Sequence, residues 1–167
     1  MAKGSSLRHY PQSASGQTGR TGEDEILRLW RSGRWAEAEQ RARRLLAVNP
    51  DAPGILYLLG NLARDQGKVA ESESWYRRCL KVAPQHLGAH ANLGGLLLHR
   101  GRKHEALACY RASIKMAPED ASLHYNLAQC LRALELYAEA ITAYQRALEL
   151  KPDFLLAASD LANVLAQ

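Results

Sequence analysis

The chain has 167 residues, 47% of them apolar and 23% charged, with a formal net charge of +5. Lys3, Arg8 and Arg20 stand in residues 1–22 without a single acid, so +3 of that excess sits there and only +2 is spread over the rest. The near-neutral body excludes the basic face expected of a nucleic-acid binder, and no apolar run approaches the length of a membrane span or a secretory signal.

Residues 1–22 are rich in Gly, Ser, Gln and Thr, carry Pro11 and show no helical period. They are expected to form a disordered leader. Thr21 is placed to cap the first helix, with Glu23, Asp24 and Glu25 favourable at its positive end. From there the chain repeats. Pro50, Pro84, Pro118 and Pro152 recur every 34 residues, a period that signals stacked units burying their apolar faces on one another.

One complete unit runs from Gly88 to Pro118. Leu93, Leu96 and Leu97 fall at the three-to-four spacing of one helix face, which predicts a helix ending near His99. Gly101 then supplies the left-handed geometry of a tight turn. A second helix is predicted from about Lys103 to Met116, with Ala106, Cys109, Tyr110 and Ile114 on its buried side, and Pro118 lies just past its end. The predicted repeats are 23–52, 53–86, 87–120 and 121–154, followed by an unpaired helix over 155–167.

Stepping by the period exposes the fixed columns. Leu59, Leu93, Leu127 and Leu161 form one, and Gly60, Gly94, Ala128 and Ala162 the next, where a tiny side chain lets two helices approach. Gly33, Gly67 and Gly101 hold the inter-helix turn, with Glu135 departing. Ala38, Ser72, Ala106 and Ala140 are small, and Tyr76, Tyr110 and Tyr144 are large, with Ala42 departing. In the first helix Glu25 and Ile26 replace the leucine and small residue of the later copies. These residues resemble the tetratricopeptide repeat family over roughly Glu23 to Gln167. The resemblance implies an all-α, right-handed superhelical array of antiparallel helix pairs, an α-solenoid whose first helices line a concave groove.

Polar columns on the first helices are the candidate site. Asn92, Asn126 and Asp160 form one, Asn61, Gln129 and Asn163 another with Gly95 between. Tyr57 and Tyr125 precede the first column, Arg64 and Arg132 follow the second, and His99 joins the same groove. Tyr125, Asn126, Gln129 and Arg132 follow one helix face, opposite the leucines and therefore expected to be exposed. Amides donate and accept, so such a ladder suits the backbone of an extended peptide. The strings NLG and NLA resemble the asparagine ladder of the O-linked N-acetylglucosamine transferase superhelix, and Asn92 and Asn126 are the positions that match it. A carboxylate-clamp mode of the family would use Asn61 and Asn92, but Tyr57, Ser122 and Asn126 stand where its basic residues belong.

The function expected is a non-enzymatic module holding an extended protein segment, cytoplasmic, without metal or cofactor. The alternative is the substrate-recruiting region of a larger glycosyltransferase or sulfotransferase, as in bacterial chains where such arrays precede a catalytic domain. The apolar last helix, with Leu155, Leu156 and Leu165, favours a segment of a longer protein or self-association through that helix. His86 and His90 lack a third metal ligand. Cys79, Cys109 and Cys130 show no paired spacing and read as reduced thiols. Glu37, Glu71, Glu105 and Glu139, each in the first turn of a second helix, serve the helix dipole rather than catalysis.

Overall fold

A computed structural model describes residues 17–166, with side chains from Gly22 onward. Four helix pairs follow one another: α1 (Gln17–Arg31) with α2 (Trp35–Val48), α3 (Pro53–Asp65) with α4 (Val69–Val82), α5 (Leu87–His99) with α6 (Lys103–Met116), and α7 (Ala121–Ala133) with α8 (Tyr137–Leu150). A final helix, α9 (Leu155–Leu165), packs on α8. Each helix packs on the next in sequence, and first helices also touch across repeats. The fold is an all-α solenoid of helix pairs.

The start of the array corrects one expectation. Helix α1 begins at Gln17, so residues 17–22 of the expected leader are helical and Thr21 lies inside the helix rather than at its cap. Packing overrides the poor helix propensity of Thr and Gly here: Gly22 is buried, and a Cβ on it would stand 2.7 Å from Leu45 Cδ1. The rest of that expected leader, 1–16, lies outside the described residues.

The columns do what their sizes dictate. A Cβ on Gly60 would meet the Tyr76 ring at 2.5 Å, and one on Gly94 would meet Tyr110 at 3.0 Å, so the small residue makes room for the buried tyrosine one helix on. Ser72 is fully buried at the small position of α4 and donates to the Gly60 carbonyl at 2.8 Å, which satisfies its hydroxyl. In the first pair the sizes reverse, with Ile26 in the glycine column and Ala42 in the tyrosine column, both fully buried.

The inter-helix turns need a positive φ, and Gly33, Gly67 and Gly101 adopt 76°, 73° and 75°. Glu135 adopts 63° at the equivalent turn. A side chain in that region costs roughly 1–2 kcal/mol, partly offset because glycine loses more entropy on folding. Glu135→Gly is therefore expected to stabilise the chain by about 0.5–1 kcal/mol, read as a higher urea midpoint; a lower midpoint would show that Glu135 has a compensating role.

Candidate functional site

First helices α3, α5, α7 and α9, with Tyr110 of α6, border one open groove of about 650 Å³. Arg64, Asn92, His99, Tyr125, Asn126 and Gln129 line it, together with Asp65, Gly95 and Leu156. Six of the eleven sequence-predicted residues thus share one surface.

The amides on that surface are not equivalent. Asn61 and Tyr57 are buried, at 4% and 6% exposure, which corrects the expectation that the whole face is open. Asn61 Oδ1 accepts from Tyr76 Oη at 2.7 Å and from Asn92 Nδ2 at 2.8 Å, and Asn92 Nδ2 also lies 3.2 Å from Tyr57 Oη. Consecutive first helices pack side by side, so residues 31 and 35 apart meet, and Asn61 is spent on joining α3 to α5.

The same joint recurs two repeats later. Tyr125 Oη donates to Asp160 Oδ2 at 3.0 Å, Gln129 Nε2 donates to Tyr125 Oη at 2.9 Å and to Asp160, and Arg132 Nη2 donates to Gln129 Oε1 at 2.8 Å. Burial, and then the adjoining Asp160 carboxylate, push the Tyr125 phenol up. Arg64 is half-buried and pairs with Asp65 at 3.0 Å.

Between these joints the pattern fails. Ala91 and Gly95 stand where Tyr57 and Asn61, or Tyr125 and Gln129, stand in the neighbouring repeats. Among the described residues Asn126 is left without a hydrogen bond, half-buried on the groove wall. His99 is exposed at the end of α5. Asn163 is exposed on α9 and does not reach the groove.

The two histidines at the α5 start have structural partners. His86 is the N-cap, its Nδ1 accepting from the Ala89 amide at 3.1 Å, and its ring lies 4.7 Å from Tyr57. His90 Nε2 lies 2.9 Å from the Pro84 carbonyl, as His124 Nε2 does from Pro118 at 2.8 Å. No group of three or more His, Cys, Asp or Glu able to hold a metal occurs among the described residues. Cys79 and Cys130 are buried and Cys109 half-buried, all unpaired, and burial pushes the Cys79 thiol up to about 12. None of the described helices is long and apolar enough to cross a membrane.

Burial lowers the His86 pKa below its ordinary value, with a smaller contribution from His90. The folded chain therefore binds that proton less readily than the unfolded one, so its contribution is complete above the ordinary range near ~6.5 and is lost as pH falls from there through the lowered folded value. A protonated Nδ1 also cannot cap α5, a loss of about 1 kcal/mol. Stability is expected to decline as pH falls below the ordinary histidine range near ~6.5, and less steeply in His86→Asn, which keeps a capping oxygen. Equal slopes in urea titrations of the two proteins would refute this role.

The tetratricopeptide repeat profile matches residues 24–86, 61–108 and 92–153. The chain belongs to the tetratricopeptide repeat family. No curated protein sequence matches it. Among solved structures it is similar to MamA 41-end from Desulfovibrio magneticus RS-1, with 24% identity, 90% of this chain and 85% of that chain covered and a TM-score of 0.81. It is also similar to PilF of Pseudomonas aeruginosa, at 19% identity, 88% and 67% coverage and a TM-score of 0.80. The first such domain of Spaghetti (RPAP3), bound to the HSP90 peptide SRMEEVD, aligns at 21% identity, 69% and 94% coverage and a TM-score of 0.66. At these identities the likeness is one of fold.

Second helices carry a feature that the sequence reading missed. Arg43, Arg77 and Arg111 each reach the first-turn glutamate of the following second helix, Glu71, Glu105 and Glu139. Three of the four column glutamates thus join repeats on the outer side, and Glu37 pairs within its own repeat with Arg34. The signal was available as an arginine placed 28 residues before Glu71, Glu105 and Glu139, where Glu37 has His9.

Proposed function

We propose that this array is a protein-interaction module that holds an extended segment of a partner protein in the groove of its first helices. The observation that carries the reading is Asn126, a groove amide with no intramolecular hydrogen bond among the described residues, beside the exposed His99 in the groove of the first helices. A free carboxamide on a groove wall can donate to and accept from a passing backbone. The repeat domain of Spaghetti, held with a peptide in its structure, gives a precedent within the fold.

Peptides selected from a random display library on the full chain test the reading. Asn126→Ala combined with His99→Ala removes two contacts of about 0.5–1.5 kcal/mol each, so affinity is expected to fall roughly ten-fold. Asn92 stays in place because Asn61 depends on it. Glu71→Gln combined with Glu105→Gln, on the outer helices, is expected to leave affinity unchanged. The reverse ranking would put the ligand on the outer face and end the proposal.

A second reading is favoured by α9, where Leu155, Leu156 and Leu165 are 81%, 57% and 63% exposed. We propose that this surface supports self-association of the chain. Sedimentation at several concentrations should show a dimer that Leu155→Glu abolishes; a monomer throughout removes the proposal.

A further inference from the structure

From α3 onward the joint between neighbouring first helices is built three times from the same positions, and only twice with polar side chains to fill it; the α1–α3 joint has Leu27 and Leu58 there. At α3–α5 the filler is Asn61, whose oxygen accepts hydrogen bonds from Tyr76 and Asn92. At α7–α9 it is Gln129, bonded to Tyr125 and Asp160. At α5–α7 the position is Gly95. Gln129 leaves Tyr144, the equivalent of Tyr76, buried without a hydrogen-bond partner among the described residues, so the pattern for this notch is the α3–α5 joint. The groups that Asn61 serves there have counterparts here. Tyr110, equivalent to Tyr76, and Asn126, equivalent to Asn92, both border the groove and have no hydrogen bond among the described residues.

The notch is open. A Cβ on Gly95 would meet one neighbour within 4 Å, Tyr110 Oη at 3.5 Å, so a side chain's polar end has space and a donor waiting. Ala91 widens it where the flanking repeats carry Tyr57 and Tyr125.

We infer that the bound segment supplies the missing group: an Asn or Gln side chain of the ligand enters the notch at Gly95. Its carboxamide oxygen accepts from Tyr110 Oη and Asn126 Nδ2, as Asn61 Oδ1 does from Tyr76 and Asn92. The inference rests on the groove reading above and assigns it a side-chain preference.

Chemistry selects the carboxamide over its rivals. An apolar side chain would cover the Tyr110 hydroxyl and the Asn126 amide and leave both unpaired, which is costly. A carboxylate would need a cation at this level. The column that supplies Arg64 and Arg132 has Leu98 here, and Arg64 is already paired with Asp65. Tyr110 is only 3% exposed, so its hydroxyl lies at the floor of the notch, at a depth that suits a side chain better than a main chain running along the groove.

The first test needs no ligand. Gly95→Asn in the full chain places the carboxamide in cis and should raise Tm by roughly 2–4 °C. The gain should exceed that of Gly95→Ala, although alanine is the better helix former. Its excess over Gly95→Ala should shrink when Asn126→Ala is added. A Gly95→Asn chain no more stable than Gly95→Ala would overturn the inference. The second test uses peptides selected on the wild-type chain from a random display library. One position should be Asn or Gln. Changing it to Leu or to Glu should weaken binding about ten-fold, and Gly95→Asn should weaken the parent peptide by a similar factor. Groove binding without an amide preference, or binding undiminished by Gly95→Asn, would overturn the notch assignment and leave the groove reading standing. Peptides insensitive to the Asn126→Ala and His99→Ala pair, or no selected peptide at all, would bring down both.

Discussion

Replacing Asn61 by alanine is expected to destabilise the chain by about 2–3 kcal/mol, the cost of leaving a buried donor unsatisfied and a small void beside it. Asn61 is the acceptor shared by the fully buried Tyr76 and by Asn92, so one substitution strips Tyr76 of its partner, leaves Asn92 with Tyr57 alone and loosens α3 from α5. Asn126→Ala, one repeat beyond Asn92, breaks no hydrogen bond. Since alanine is the stronger helix former, that variant is expected to be as stable as the wild type or slightly more so. Paired urea denaturation curves decide it. Equal losses in both variants would show that the two amides are not divided between folding and binding.

The second large effect is expected at Glu73. Its carboxylate is 8% exposed and accepts from Arg77 Nε at 2.9 Å, Arg100 Nη1 at 2.5 Å and Arg102 Nη1 at 2.6 Å, tying α4 to the turn between α5 and α6. Burial alone would raise its pKa. The hydrogen bonds from Arg77 and Arg102 outweigh that and hold the carboxyl below its ordinary value. Its stabilisation is therefore present above the unfolded carboxylate range near ~4.3 and is lost as pH falls through the lowered folded value. Glu73→Ala leaves Arg100 without its anion, leaves Arg77 and Arg102 sharing Glu105 alone, and is expected to cost about 2–3 kcal/mol. The arginines keep roughly two-fifths of their side-chain surface in water, which keeps the figure below that for a fully buried pair.

One repeat later the same joint is apolar. Leu107, Leu134 and Leu136 occupy the positions of Glu73, Arg100 and Arg102, and Leu107 and Leu134 pack in the core. The chain thus contains two solutions to one packing problem. Well-packed apolar replacements of buried ion groups are often neutral or better. The triple change Glu73→Leu, Arg100→Leu and Arg102→Leu is expected to recover stability to within about 1 kcal/mol of wild type. A triple variant as weak as Glu73→Ala would refute the equivalence.

These joints mark where the sequence stopped being legible. Column reasoning placed Gly60 and Gly94 where the tyrosines need room, because an apolar period and a glycine act within one helix pair. The departures Ile26 and Ala42 are one compensating exchange of size between facing columns. The polar columns were visible too, but their solvent exposure was not. Whether an amide faces a ligand or its neighbour depends on residues 31 and 35 further along, a spacing set by the side-by-side packing of first helices. Asn61 and Asn126 therefore look alike in sequence and differ in the folded chain. Glu39 and Glu73 were missed for the same reason, since their partners lie at the next inter-helix turn. At the amino end, Thr21 offered a local capping signal that packing of α1 on α2 overrode.

Site-directed photo-crosslinking tests the central claim, that ligands lie along the first helices, most directly. A photoreactive amino acid is placed at His99 on the groove wall or at Ala108, exposed on the second helix α6, and each chain is irradiated with a peptide selected on the wild type. Capture of the peptide at His99 and not at Ala108 is the predicted result. Capture at Ala108 with none at His99 would contradict it.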